Sequence, residues 1–137
     1  MRVKGLAHYG LELPSLEAGR EFYRAFGLLA EERDASLVVR CDGRDQDQTV
    51  LVEGPRKRLH HVAFAVEEGS LPDWQRHLEG LGVAITDAPG DVAGDGLWFR
   101  DPDGNRVTLR DGGLAPSAVW CPLMPEEFLH NEEDKPE

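Results

Sequence analysis

One short alternating stretch occurs twice in this chain, and the duplication limits its folds more than any other feature. Near the N-terminus it reads Leu6-Ala7-His8-Tyr9-Gly10-Leu11-Glu12-Leu13; at the centre it reads Arg58-Leu59-His60-His61-Val62-Ala63-Phe64-Ala65-Val66. In the second copy His61, Ala63 and Ala65 share one face, while His60, Val62, Phe64 and Val66 share the other. A period of two marks a half-buried strand. The apolar face requires helices against it. The face with small residues and an imidazole leaves room for an occupant. His8 takes the place of His61 in the first copy. By the same parity His60 faces the core, as a structural residue or a donor behind the site.

The flanking segments repeat as well. Pro14-Ser15 stops the first strand and caps a helix expected over 16–26, closed by Gly27. Ala18, Phe22 and Phe26, with Tyr23 beside them, form its expected core stripe. Strands are expected at 28–32, 36–41 and 49–53. In the second half Ser70 and Asp73 have capping-box spacing. The helix they open carries the stripe Leu71, Trp74, Leu78 and Leu81, and Gly82 ends it. Strands are expected at 83–86, 96–100 and 106–110, separated by a Gly- and Pro-rich loop at 88–95 and a turn at 101–105. Each half is β-α-β-β-β, and neither could bury its sheet alone. The expected class is α+β, in one domain over 1–112, with module one at 4–54, module two at 58–112 and a C-terminal extension at 113–137.

A length of 137 residues suffices for one such core. The net charge of −11 and pI near 4.8 argue against nucleic acid and anionic membranes as partners. Part of that charge lies after Pro125, in an acidic end read as solvated. No signal peptide, membrane-spanning run or lipidation motif is legible, so a cytoplasmic location is expected. Cys41 and Cys121 form no CxxC pair; free thiols are expected, and no thiolate zinc site.

Four segments together resemble the vicinal oxygen chelate superfamily of glyoxalase I, bleomycin and fosfomycin resistance proteins, and extradiol catechol dioxygenases. They are Ala7-His8-Tyr9-Gly10-Leu11, then Glu21-Phe22-Tyr23 with Phe26-Gly27-Leu28, then Leu59-His60-His61-Val62-Ala63-Phe64, and Trp98 through Arg106 around Asp101-Pro102-Asp103-Gly104-Asn105. They lie in order over about residues 4 to 112. The Leu-His-His-Val-Ala-Phe strand and the tail from Trp120 to Phe128 look most like the extradiol dioxygenases. The resemblance implies two βαβββ modules forming a curled mixed sheet around a cup, with helices outside. It also implies a small-molecule ligand and a homodimer.

Metal-dependent relatives hold a divalent ion in the cup, and His8 and His61 fall on two of their ligand positions. Fe(II) or Mn(II) is the implied ion. The third ligand in these relatives is usually a Glu in the last strand, where this chain has Thr108. A two-His, one-carboxylate triad suits Fe(II), and a neutral hydroxyl is a poor replacement. Glu12, on the His8 face of the first strand, and Glu53, at the end of the fourth strand, are weak substitutes. Arg40 and Trp98 are candidates for the cup wall, where they would suit a planar or anionic ligand. Two functions stay open on this reading. One is a metal-dependent, dioxygenase-like enzyme acting on two adjacent oxygens of a small substrate. The other is a metal-free protein that sequesters a drug or aromatic molecule, as bleomycin-resistance relatives do. A degenerate module of a larger assembly is a third possibility.

Overall fold

The computed structural model describes residues 1–92, 95–112 and 114. The elements follow in the order β1 (Val3–Leu13), α1 (Leu16–Phe26), β2 (Leu29–Arg33), β3 (Ser36–Arg40), β4 (Asp47–Glu53), β5 (Arg58–Val66), α2 (Leu71–Gly80), β6 (Leu97–Arg100) and β7 (Arg106–Asp111). Seven strands form one open mixed sheet in the order β2-β3-β4-β1-β5-β7-β6. The two duplicated strands, β1 and β5, pair antiparallel at its centre. Each then pairs parallel with the last strand of its own module, β1 with β4 and β5 with β7. The order is therefore symmetric about the β1–β5 seam, as a duplicated unit requires. None of the described helices is long and apolar enough to cross a membrane.

Alternation sorts the side chains as expected over most of the sheet. Leu37, Val39 and Leu51 pack on one side with Leu16 and Tyr23 of α1. Val66, Leu97 and Leu109 pack with Leu71, Trp74 and Leu78 of α2. The opposite side carries Ala7, Ala63 and Ala65 at the centre of the sheet. Both helices thus lie on one face and leave the other concave.

Several expectations are corrected. Ala18, Phe22 and Phe26 do not form the buried stripe of α1: Phe22 and Phe26 are 61% and 72% exposed and stack on each other. The helix docks through Leu16, Gly19 and Tyr23 instead. A methyl added at Gly19 would lie 3.0 Å from Leu13 and 3.2 Å from Leu51, so the glycine sets how closely the helix approaches. In α2, Leu81 lies past the helix end and is exposed. The capping box is not formed. Ser70 has helical φ and ψ rather than the extended values a cap needs, and its hydroxyl donates to the Glu67 carbonyl at 2.5 Å. The strand expected at 83–86 shrinks to one bridge between Thr86 and Trp98. Pro89 and Gly90 follow, and proline cannot donate to a ladder. Cys121 and the tail from Trp120 to Phe128 lie outside the described residues.

Asp101 closes the β6–β7 turn, accepting the backbone N–H of Asp103 and Asn105. Leu51, fully buried between β1, β3 and α1, anchors the first module. Replacing it with Ala should lower the urea-unfolding free energy by about 3 kcal/mol, the range for deleting a buried leucine side chain.

Candidate functional site

The β1–β5 seam is not a regular ladder. Its register slips at three places, between Val3 and Gly5, Leu6 and His8, and Gly10 and Leu11. At the first two the extra residue is on β1, Lys4 and then Ala7. At the third, Gly10 faces His61 while Leu11 faces Leu59, so His60 is the extra residue on β5. Such bulges break strict alternation and redirect side chains. The parity that sends His60 to the core therefore fails, and His60 stays beside its neighbour.

Three imidazoles consequently meet in a row. Nε2 of His8 lies 2.8 Å from Nε2 of His61. Nδ1 of His61 lies 2.8 Å from Nδ1 of His60. Nε2 of His60 lies 3.2 Å from Asp91 Oδ1. All three rings are buried, His61 at 1% exposure. Gly10 provides the space: a methyl there would lie 2.3 Å from Cε1 of His61. Trp98 packs against the other side of His61, ring centres 5.2 Å apart.

His8 and His61 form part of the wall of a cavity of about 290 Å³ on the concave face. Both modules contribute, through Val38 and Val50 from the first and Trp98 and Thr108 from the second. One row across the seam runs His8, Ala63, Thr108, Trp98. Thr108 Oγ1 is buried and has no hydrogen-bond partner among the described residues. An unpaired buried hydroxyl is destabilising by roughly 1–3 kcal/mol, unless an occupant of the cavity supplies the partner.

Arg40 stands outside the wall, with Nε 2.7 Å from Asp47 Oδ1, and Asp47 reaches the cavity. Glu12 turns away to Arg58 at 3.1 Å and to the backbone N–H of Arg56. Glu53 is exposed at the end of β4 and lines nothing here. Among the described residues, no three or more His, Cys, Asp or Glu side chains are grouped to hold a metal. The sequence pattern missed Asp47, Asp91 and Asp95. Asp47 lay in a polar turn at the start of β4, and the other two in the Gly- and Pro-rich loop. Only three-dimensional proximity identifies them. Two are already neutralised, Asp47 by Arg33 and Arg40 and Asp95 by Arg110 at 2.8 Å. Burial opposes the charge of Asp47, but those two guanidiniums outweigh it and hold its carboxyl below the usual range.

Burial pushes the His8 imidazole down to about 4, with Arg110 helping and Asp47 and Asp95 opposing. It pushes His61 down to about 3, reinforced first by His8 and His60 and then by Arg106 and Arg110. His60 is also lowered, by burial first, against the pull of Asp91. The rings are therefore neutral at pH 7 and offer lone pairs.

Residues 5–109 match the family model described as Glyoxalase/Bleomycin resistance protein/Dioxygenase superfamily. Metapyrocatechase 2 of Cupriavidus necator is 34% identical over 115 residues, which is 80% of this chain and 34% of that protein. Metallothiol transferase FosB of Bacillus licheniformis is 32% identical over 65 residues, 43% of this chain and 42% of that protein. The solved 2,3-dioxygenase LapB from Pseudomonas sp. KL28 superposes with a TM-score of 0.71 at 25% identity, over 82% of this chain and 42% of its own. The matched regions thus cover between 34% and 42% of these proteins' own lengths.

Two expectations follow from the geometry. Gly10→Ala should destabilise the fold by about 1–3 kcal/mol through the clash with His61, read from urea unfolding, and should shift the His61 ring resonances. In the metal-free protein, His8 and His61 have native pKa values below 6.5, so the unfolded chain takes up their protons first. Their contribution is complete above about pH 6.5 and declines as pH falls toward 4 and then 3. Urea midpoints measured from about pH 7 down to about pH 4.5 should fall, and His61→Phe should make that slope shallower.

Proposed function

The chain belongs to the Glyoxalase/Bleomycin resistance protein/Dioxygenase superfamily, and on that premise we propose that His8 and His61 hold a divalent cation on which a small substrate with adjacent oxygens is bound, as in a ring-cleaving dioxygenase. The observation that carries this is the 2.8 Å approach of the two Nε2 atoms across the seam. Two imidazole nitrogens bound at about 2.0–2.1 Å to one ion, at roughly a right angle, stand about 3 Å apart. The observed separation lies within a few tenths of an ångström of what one shared ion would require.

The third protein ligand is where the donor set departs from the family pattern. Thr108 offers a neutral hydroxyl, so oxygens of water or substrate would have to complete the coordination. The unpartnered Oγ1 of Thr108 supports this, because it is free to hydrogen-bond one of those oxygens. The bound ion would act as Lewis acid and template for the chelated oxygens. The chain's own residues do the rest. Trp98 offers an apolar wall to a planar ligand. Arg33 and Arg110, already paired with Asp47 and Asp95, give the rim local charge without a net excess. The buried seam keeps bulk water from the imidazoles.

The missing carboxylate favours a second reading, a metal-free binding pocket for an aromatic or drug-like molecule. Metal titration decides between them. Anaerobic titration with Fe(II), or with Mn(II) or Co(II), should give about one bound equivalent, and His8→Ala or His61→Ala should reduce affinity by at least about 100-fold. Binding below a tenth of an equivalent by the unsubstituted protein would sink the metal reading. Ligand-induced thermal shifts without metal would then favour the second.

A further inference from the structure

We propose that His60 and Asp91 are positioning residues that lock His61 in the tautomer whose Nε2 is bare and aimed across the seam at His8. The metal-affinity part of this rests on the cation reading above; the tautomer assignment does not.

The assignment follows from counting protons along the row. Asp91 is a carboxylate, and a carboxylate accepts. Its Oδ1 lies 3.2 Å from Nε2 of His60, so that nitrogen carries the hydrogen. A neutral imidazole has one N–H, which leaves Nδ1 of His60 as an acceptor. Nδ1 of His61 lies 2.8 Å away and must donate to it. His61 then has its lone pair on Nε2, at 2.8 Å from Nε2 of His8. In the metal-free protein the donor in that last contact is Nε2–H of His8. The two imidazoles are therefore unequal. His61 is preset for a cation and keeps its proton where it is. His8 must move its proton to Nδ1 before its Nε2 can bind.

The bulge makes this possible. On a regular strand consecutive side chains point to opposite faces, and two neighbouring imidazoles could not meet nitrogen to nitrogen. The register slip at His60 puts them edge to face, ring centres 5.0 Å apart. Asp91 comes from the loop before β6, outside regular structure. That loop thus reaches the imidazole row through the Asp91 carboxylate. Ligating histidines generally donate their second N–H to such a partner, and loss of it weakens metal binding by about 10–100-fold.

The test has two arms. Long-range proton–nitrogen NMR spectra of the metal-free protein report each tautomer directly. His61 should appear as Nδ1–H and His60 as Nε2–H, and Asp91→Ala should turn His60 into a mixture. His61 found as Nε2–H overturns the proposal, whatever the metal result. The second arm is Co(II) titration of the protein and of His60→Leu and His60→Asn. Leucine removes the acceptor and should lower affinity by about 10–100-fold. Asparagine places an amide oxygen near the position of Nδ1 and should recover most of it, which a merely structural role would not predict. Equal Co(II) affinity for the leucine variant overturns the positioning role. If the unsubstituted protein binds no Co(II) while His61 is Nδ1–H, the cation reading fails and the tautomer assignment stands.

Discussion

The antiparallel seam between β1 and β5 is the joint from which both halves of the sheet hang. Each half of the fold is joined to the other chiefly through this pair of strands. A plain ladder would join them equally well, yet this one slips register three times. The slips at Ala7 and His60 turn a structural joint into a site. They crowd small side chains and three imidazoles onto one stretch, where Gly10 and Ala63 leave them space. The duplicated strand thus does two things at once. It closes the hydrophobic cores toward the helices, and it builds the polar floor of the cavity on the other face.

Much of this was legible in the sequence. Alternation and its repetition placed the two central strands, and the matching histidines followed from their register. The β-α-β-β-β order of each half followed from the apolar periods, and the mixed sheet with helices outside from the family resemblance. The failures have physical causes. Four-residue spacing in α1 cannot say which of two apolar stripes docks, and Gly19 decided it by admitting the sheet where Phe22 and Phe26 could not. Parity fails at a bulge, and no local residue announces the one at His60. Asp91 is remote in sequence from the ring it touches, in a loop where one acid looks like another.

Burying three imidazoles side by side is expensive unless they stay neutral and find partners. Here each nitrogen between the rings has one, and the chain ends on a half-exposed carboxylate. The arrangement satisfies the rings without fixing a net charge among them. The surrounding acids behave likewise: Asp47 and Asp95 enter the cavity wall already matched to guanidiniums.

By the family resemblance, Thr108 puts a hydroxyl where metal-dependent relatives carry an anion, and on the cation reading this bears on the order of events. Two neutral rings and an alcohol cancel none of a dication's charge. An anionic chelator would therefore be held by the ion about as much as it holds the ion, and linkage makes such coupling mutual. With such an ion in place, each visitor would therefore deepen the scaffold's hold on the other.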